Sequence, residues 1–405
     1  MPLAVFVLGL TIFSLGTTEF MIAGLLPELA GAFGVPLPAA GGLISLFALG
    51  VTVGAPVLAL LSSRLPKKAT LVALLAVFVA GEVLAASAGS FGVLMAARVV
   101  TALAHGAFFG IGAVVAAGLV PPGKKGRALS VMFGGLTIAT LAGAPLGAFL
   151  GQHLGWRAPF WAVAVFGALG LLGVVFLVPR QEREEAAGVR RELAAFRRPA
   201  LWWALATTAL SQAGLYAVYT YLAPLLTHAT GFAASAVPPL LALFGAGTVL
   251  GSVLGGRLAD RSLSRTLCWG TVLLGGVLAL VSAVAHSKPL MTGTLLAFGI
   301  AAFLINPALQ ARVLNEAEAA PTLASAANIS AFNIGNAAGP WAAGLALDAG
   351  HSHLAPSWVG ALCAAAALGT ALLGGVAAGG VARGAGVRAG GGLEEGRTER
   401  VVAGR

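Results

Sequence analysis

Charge is what this sequence has least of. Only 9% of its 405 residues are Asp, Glu, Lys or Arg, whereas soluble domains carry roughly 25%. With 58% hydrophobic residues and a mean hydropathy of +0.94, the chain reads as an integral membrane protein. Cysteine is almost missing: Cys268 and Cys363 both fall inside apolar segments, which argues against a disulfide framework. No G-x-x-x-x-G-K-S/T phosphate loop occurs, which argues against ATP-driven work within this chain. Nor is there an H-E-x-x-H motif, a Cys/His ligand cluster or a recognisable nucleophile motif. The sequence therefore offers no metal site, no cofactor site and no sign of an enzyme.

What is plentiful is glycine, 57 residues, which lets helix backbones approach closely where lipid removes the hydrophobic drive for association. Counting about 20 apolar residues per span gives helices at roughly 3–28, 38–62, 69–89, 91–118, 127–151, 157–178, 200–226, 236–259, 266–285, 289–311, 322–347 and 356–380. The expectation is an all-α membrane protein of twelve transmembrane helices.

The formal net charge of +10 raises the question of a nucleic-acid partner, and the placement of the basic residues answers it. In alternate loops lie three in SSRLPKK, three in GKKGR, six from Arg180 to Arg198, three from Arg257 to Arg265, Arg312, and five in the tail. The opposite set of loops holds only Arg157 and Lys288, and Arg98 is inside a span. By the positive-inside rule both termini are expected in the cytoplasm, so the basic excess is an orientation signal and no nucleic-acid partner is implied. The first span continues into GLLPELA without an obvious small-residue cleavage site, and so reads as a retained helix.

Aligning Arg64 on Arg261 also brings Gly54 onto Gly251, and Gly143, Ala144 and Pro145 correspond to Ala338, Gly339 and Pro340. The chain thus reads as two six-helix halves in parallel repeat: 1–180, a cytoplasmic linker at 181–199, a second bundle at 200–380 and a disordered cytoplasmic tail at 381–405. In the linker, Val189, Leu193 and Phe196 fall at helical spacing among arginines. That suits either a short helix on the membrane surface or a solvated connection.

Several stretches carry a resemblance. The loop GRLADR, from Gly256 through Asp260 to Arg261, matches the G-x-L-A-D-R signature of the major facilitator superfamily. The equivalent loop of the first half keeps Arg64, Lys67 and Lys68 but has Ser63 where Asp is usual and Pro66 where Gly is usual. The fifth helix keeps Pro145 with Gly143, Gly147 and Gly151 of an antiporter-type motif, without its full glycine pattern. GTTEF with GLLPELA, ARVVTALAHGAFFGIGAVVAAGLVP, GAPLGAFLGQHLGWR and ASAANISAFNIGNAAGP resemble the arabinose-efflux-permease-like branch of the drug:proton antiporters. The resemblance implies the major facilitator fold, a monomer in the bacterial inner membrane, and alternating access around a cavity lined mainly by helices one, four, seven and ten. A proton would move down its gradient as a sugar, drug or metabolite leaves. It also implies conformational roles for Arg64, Gly143, Pro145, Gly147, Asp260, Arg261 and Pro340.

An ionisable group inside a span costs about 2.5–3.5 kcal/mol on insertion scales and is a functional hypothesis by default. The candidates are Glu19, Glu82, Arg98 and His105. At about 1.5 Å per residue, Glu19 sits roughly 14 Å below the outer end of helix one. It can couple protons or contact substrate, or be fixed by Arg98 or by Thr17 and Thr18. Arg98 matches an arginine that the resemblance credits with assisting proton transfer. The short turn at Gly89 and Ser90 sets Glu82 and Arg98 at similar depth, where they could pair, with Glu82 as a structural partner. His105 follows Arg98 by seven residues on nearly the same face, suited to proton relay or to a hydrogen bond across helices. Gln212, Tyr216 and Tyr219 form one stripe on helix seven, a surface suited to a small or amphipathic ligand, with Tyr221 expected as an interfacial anchor. Asn306 and Gln310 add polar groups on helix ten. Ser325, Asn328, Phe332 and Asn336 share a face of helix eleven, as interhelical glue or substrate contacts.

The sequence thus points to proton-coupled efflux of a small organic solute. An uncoupled facilitator with a structural Glu19–Arg98 ion pair and a transport-derived sensor are the alternatives.

Overall fold

The polar breaks between apolar runs become turns, and the runs become helices. A computed structural model describes residues 1–62, 65–121, 124–180, 196–317 and 321–374. Its long helices are α1 (Leu3–Phe33), α2 (Leu37–Ser62), α3 (Lys67–Ala86), α4 (Phe91–Gly118), α5 (Lys125–Leu154), α6 (Arg157–Leu177), α7 (Pro199–Thr220), α8 (Val237–Arg261), α9 (Leu263–Ala283), α10 (Lys288–Glu316), α11 (Pro321–Asp348) and α12 (Ala355–Gly374). Helix α1 runs past its expected end, through Pro27, to a left-handed Gly34 at φ 63°. Arg64, Val189, Leu193 and the 381–405 tail lie outside the described residues.

Three helices depart from regular geometry at proline, which lacks an N–H and clashes with the carbonyl one turn back. In α5 a π-turn, Ala139–Gly143, precedes Pro145. In α10 the helix breaks at Ile305, ahead of Pro307, and restarts at Asn306. Helix α7 stops before Tyr221 and continues through Leu222–Pro224 into a π-turn at Leu225–Ala229.

Ten of these helices are long and apolar enough to cross a membrane, α7 and α11 not being among them. Both carry buried polar side chains, Thr207, Thr208, Ser211 and Gln212 on α7 and Asn328, Asn333 and Asn336 on α11, and they pack on each other. A Cβ added at Gly335 or Gly339 would strike the carbonyls of Ala209 and Ala213. Their polar groups are turned toward protein, the arrangement that makes such groups tolerable at membrane depth.

The pairings repeat between the halves. Helix α1 packs on α5 as α7 does on α11, and α2 packs on α4 as α8 does on α10. The halves meet along α2–α11 and α5–α8, two seams that exchange when the halves are exchanged. This is the two-bundle arrangement that the internal repeats predicted. The alternating helices put Lys67, Lys68, Lys124, Lys125, Arg127, Arg257, Arg261, Arg265 and Arg312 at one end of the bundle, called the basic end below.

Helix α1 is held along α5 by small residues at four-residue spacing. Gly143, Gly147 and Gly151 face Thr17, Met21 and Leu25 in turn, and a Cβ at Gly147 would lie 2.7 Å from that of Met21. Since Thr17, Met21 and Leu25 take the α5 face, Glu19, two residues from Thr17, is turned to the opposite side of α1. The close approach on one face therefore aims the acid on the other. Gly147→Val should cost about 1–3 kcal/mol from overpacking and lower the melting temperature in detergent by several degrees. Gly134→Val, where an added Cβ meets nothing within 4 Å, should leave it unchanged.

Candidate functional site

Two polar groups meet at mid-depth of α1, one on each side of neighbouring residues Thr18 and Glu19. On the first side, Arg98 of α4 donates from Nη1 to the Thr18 hydroxyl at 2.8 Å, and that hydroxyl donates to Glu82 Oε1 of α3 at 2.7 Å. Arg98 and Glu82 are 1% and 0% exposed. The guanidinium also lies over the Phe47 ring of α2, 4.1 Å from its centroid, a cation–π contact strengthened by desolvation. Arg98 Nε and Nη2 and Glu82 Oε2 are buried without a hydrogen-bond partner. The expected direct pairing of Glu82 with Arg98 is not formed: no oxygen–nitrogen approach within 4 Å joins them, and Thr18 stands between. Nor does Arg98 form an ion pair with Glu19. The reason is geometric: α3 and α4 pack directly on each other, and Thr18 of α1 reaches in between the two side chains with a hydroxyl that accepts from one and donates to the other.

On the second side, Glu19 Oε2 lies 3.5 Å from His105 Nε2 of α4. Its Oε1 accepts a hydrogen bond from the Tyr216 hydroxyl of α7 at 2.9 Å. The Glu19 side chain keeps 14% of its surface exposed against 6% for His105. The His105 ring is packed edge-on against Phe47 and stacked on Phe109, which confines it to the Glu19 side. Thus the acid touches both halves: His105 within its own bundle and Tyr216 in the other.

Most of the remaining sequence-predicted polar residues are already partnered. Tyr219 donates to the Phe20 carbonyl at 3.1 Å, another bond between halves. Gln212 donates to Asn306 at 3.0 Å, the residue exposed by the break in α10. Gln310 donates to Ser325 and accepts from Asn328, which in turn accepts from Thr208. Helix eleven's Ser325 and Asn328 therefore do tie helices together, while Phe332 packs against the core and Asn336 Oδ1 is buried without a partner. Tyr221 is not an interfacial anchor: it is 2% exposed, and its hydroxyl donates to the Pro340 carbonyl at 3.1 Å. Gly41 and Gly344 leave the space that its ring end fills, a vacancy made by two distant glycines. Gly143 and Gly147 lie in the α1–α5 seam, beside Pro145, and Asp260 and Arg261 are exposed at the end of α8.

Hydrogen bonds between the halves run from mid-depth to the end opposite the basic loops. Thr140 meets Thr248 at 3.1 Å, Ser45 donates to the Ala337 carbonyl at 2.9 Å, and Gln152 donates to the Ala234 carbonyl at 2.9 Å. A cavity of about 270 Å³ lies between α2 and α11 at that end, lined by residues including Pro38, Ser45, Pro340, Trp341 and Asp348. Thr18, Phe47 and the Ser45–Ala337 contact had no periodic signal of their own in the sequence. Only the adjacency of Thr18 to Glu19 marked it.

Two helical bundles that face one another across a seam of buried polar groups, in a chain too apolar for water, define a multi-pass membrane transporter. The chain belongs to the Major Facilitator Superfamily, whose family model matches residues 8–340. It is similar to the inner membrane transport protein YdhP of Escherichia coli (strain K12), 40% identical over 89% of this chain and 93% of that protein. A chloramphenicol resistance protein of Streptomyces lividans is 41% identical over 91% of this chain and 95% of that one. The putative transporter AraJ of Escherichia coli (strain K12) is 37% identical over 85% and 87%. Among solved structures, a bacterial homologue of the human lysosomal transporter Spinster shares the fold, with a TM-score of 0.66, 18% identity and coverage of 92% and 95%.

The Glu19–Tyr216 bond crosses the seam, so losing it should loosen the contact between halves. A hydrogen bond is worth about 1 kcal/mol net. With the native cysteines replaced and a reporter cysteine at the buried Ala337, Tyr216→Phe should raise the maleimide labelling rate roughly fivefold. An unchanged rate would show that the bond does not hold this seam.

Proposed function

We propose that this chain is a proton-coupled exporter of a small organic solute, working by alternating access, with Glu19 as the residue that takes up and releases the proton. One observation carries the reading: Glu19 is an acid at membrane depth, partly exposed, whose two partners, His105 and Tyr216, belong to different halves. Protonation of Glu19 changes what it offers to Tyr216, from a charged acceptor to a neutral one, and charge-assisted hydrogen bonds are roughly twice as strong as neutral ones. Loading a proton thereby weakens a contact between the bundles, and releasing it restores that contact. Arg98 and His105 are the neighbours that set how readily this happens.

The substrate class is a sugar, a drug-like compound or a related metabolite, and the name of the Streptomyces lividans relative favours an amphenicol as the first to test. Gln212, Tyr216, Tyr219, Asn306 and Gln310 are the groups on the second bundle that would meet it once the halves part and their present hydrogen bonds are exchanged. With the basic loops in the cytoplasm, both termini are cytoplasmic, the membrane is the bacterial inner membrane, and the contacts between halves close the periplasmic side. Residues 1–180 and 200–380 are the two moving bodies joined by the 181–199 linker. In this reading Arg64, which lies outside the described residues, and the Asp260–Arg261 loop latch the cytoplasmic side. The chain acts as a monomer, without cofactor or enzymatic step.

The test is Glu19→Gln in proteoliposomes under an imposed pH gradient, with chloramphenicol and arabinose as probes. Uphill efflux should disappear while exchange down a substrate gradient persists. Efflux against a gradient at the unmodified rate would remove Glu19 from coupling, and flux indifferent to pH in the unmodified protein would favour a facilitator.

A further inference from the structure

Arg98 is buried, permanently charged and unable to accept a hydrogen bond. Two acids, Glu19 and Glu82, lie near it, and a buried charge left without compensation is strongly destabilising. One guanidinium can balance one carboxylate, so the question is which acid it serves.

The hydrogen-bond directions answer it. Arg98 has only donors, so Thr18 must accept from it. The one hydroxyl proton of Thr18 is then free to point at Glu82 Oε1, 2.7 Å away, so Glu82 accepts at the far end of a chain that begins at the guanidinium, a cation whose nearness favours the anion. The chain from Arg98 through Thr18 to Glu82 is therefore a balanced pair with a hydroxyl inserted between its charges. Glu19 stands outside it. The titratable and charged groups that face Glu19 are His105 and Arg98 from α4, Tyr216 and Tyr219 from α7, and Glu82 from α3. The faces of α2, α5, α6 and α8 packed near it carry none at this depth.

We propose that Thr18 is a positioning residue for proton coupling: its hydroxyl commits Arg98 to Glu82 and so leaves Glu19 as the one carboxyl of the cluster that exchanges a proton. This deepens the reading of Glu19 given above and rests on it. Without the hydroxyl, Arg98 has lost its acceptor while Nε and Nη2 are already unpartnered, and the acid next along α1 is Glu19. A guanidinium turned to a carboxylate favours the anion, typically by one pH unit or more.

The experiment needs no substrate. Purified protein in lipid is titrated while the C=O stretching band of protonated carboxyl groups is followed by infrared spectroscopy. A titrating band should be present in the unmodified protein and in Glu82→Gln, and absent in Glu19→Gln. Thr18→Val should move its midpoint about one pH unit toward acid, Thr18→Ser should leave it in place, and Glu82→Gln, which strips Arg98 of its counter-ion, should move it in the same direction as Thr18→Val. Loss of the band in Glu82→Gln would transfer the proton to Glu82 and overturn the proposal. So would an unmoved midpoint in Thr18→Val, or, should that variant not fold, in Glu82→Gln. Because the readout is protonation and not flux, the assignment can stand or fall separately from the transport result for Glu19→Gln.

Discussion

A guanidinium that cannot give up its charge, buried at the centre of an apolar bundle, constrains everything around it. Arg98 must be balanced, and the balance must be struck with groups that reach it from other helices. Here α3 supplies the carboxylate, α2 an aromatic face and α1 the hydroxyl between. None of these could be removed without leaving a charge or a donor stranded in a medium that punishes both. Three helices of the first bundle are thus pinned around α4 by one side chain.

Helix α1 carries the consequences outward. One face is committed to α5 through the glycine seam, where Gly143, Gly147 and Gly151 admit Thr17, Met21 and Leu25. Thr18 faces the arginine, and Glu19 faces the other bundle. A helix whose neighbours are this specific cannot rotate to repair a lost contact, which is why a steric change at Gly147 and an electrostatic one at Thr18 both bear on the same acid. The second bundle answers with α7, whose Tyr216 and Tyr219 bond to Glu19 and to the Phe20 backbone. Its own polar groups are tied back to α10 and α11 through Asn306 and Asn328.

Much of this was legible beforehand. Apolar runs of membrane-spanning length, alternating basic loops and the paired Arg64 and Arg261 segments are one-dimensional signals, and they predicted twelve helices in two bundles. The rarity of charge did the same for Glu19, Glu82, Arg98 and His105, since every ionisable group in a span stands out. What stayed hidden depends on which neighbour a helix face meets. Glu82 and Arg98 were correctly set at similar depth, but depth does not say that the Thr18 hydroxyl of α1 would reach in between them. Tyr221 looked like an interfacial residue because sequence marks the end of an apolar run, not the hollow left by Gly41 and Gly344 on two other helices. Phe47, an ordinary apolar residue in α2, became a cation's partner only through packing.

The same reasoning applies to the two helices that fall short of the apolar length for crossing a membrane. Helices α7 and α11 can carry polar side chains at membrane depth because these bond to one another and to α1 and α10. Bonds such as Ser45 to the Ala337 carbonyl and Tyr216 to Glu19 cross between bundles. A seam built that way can be exchanged, bond for bond, against water or solute when the bundles part. A seam of interlocked glycines, like that between α1 and α5, cannot.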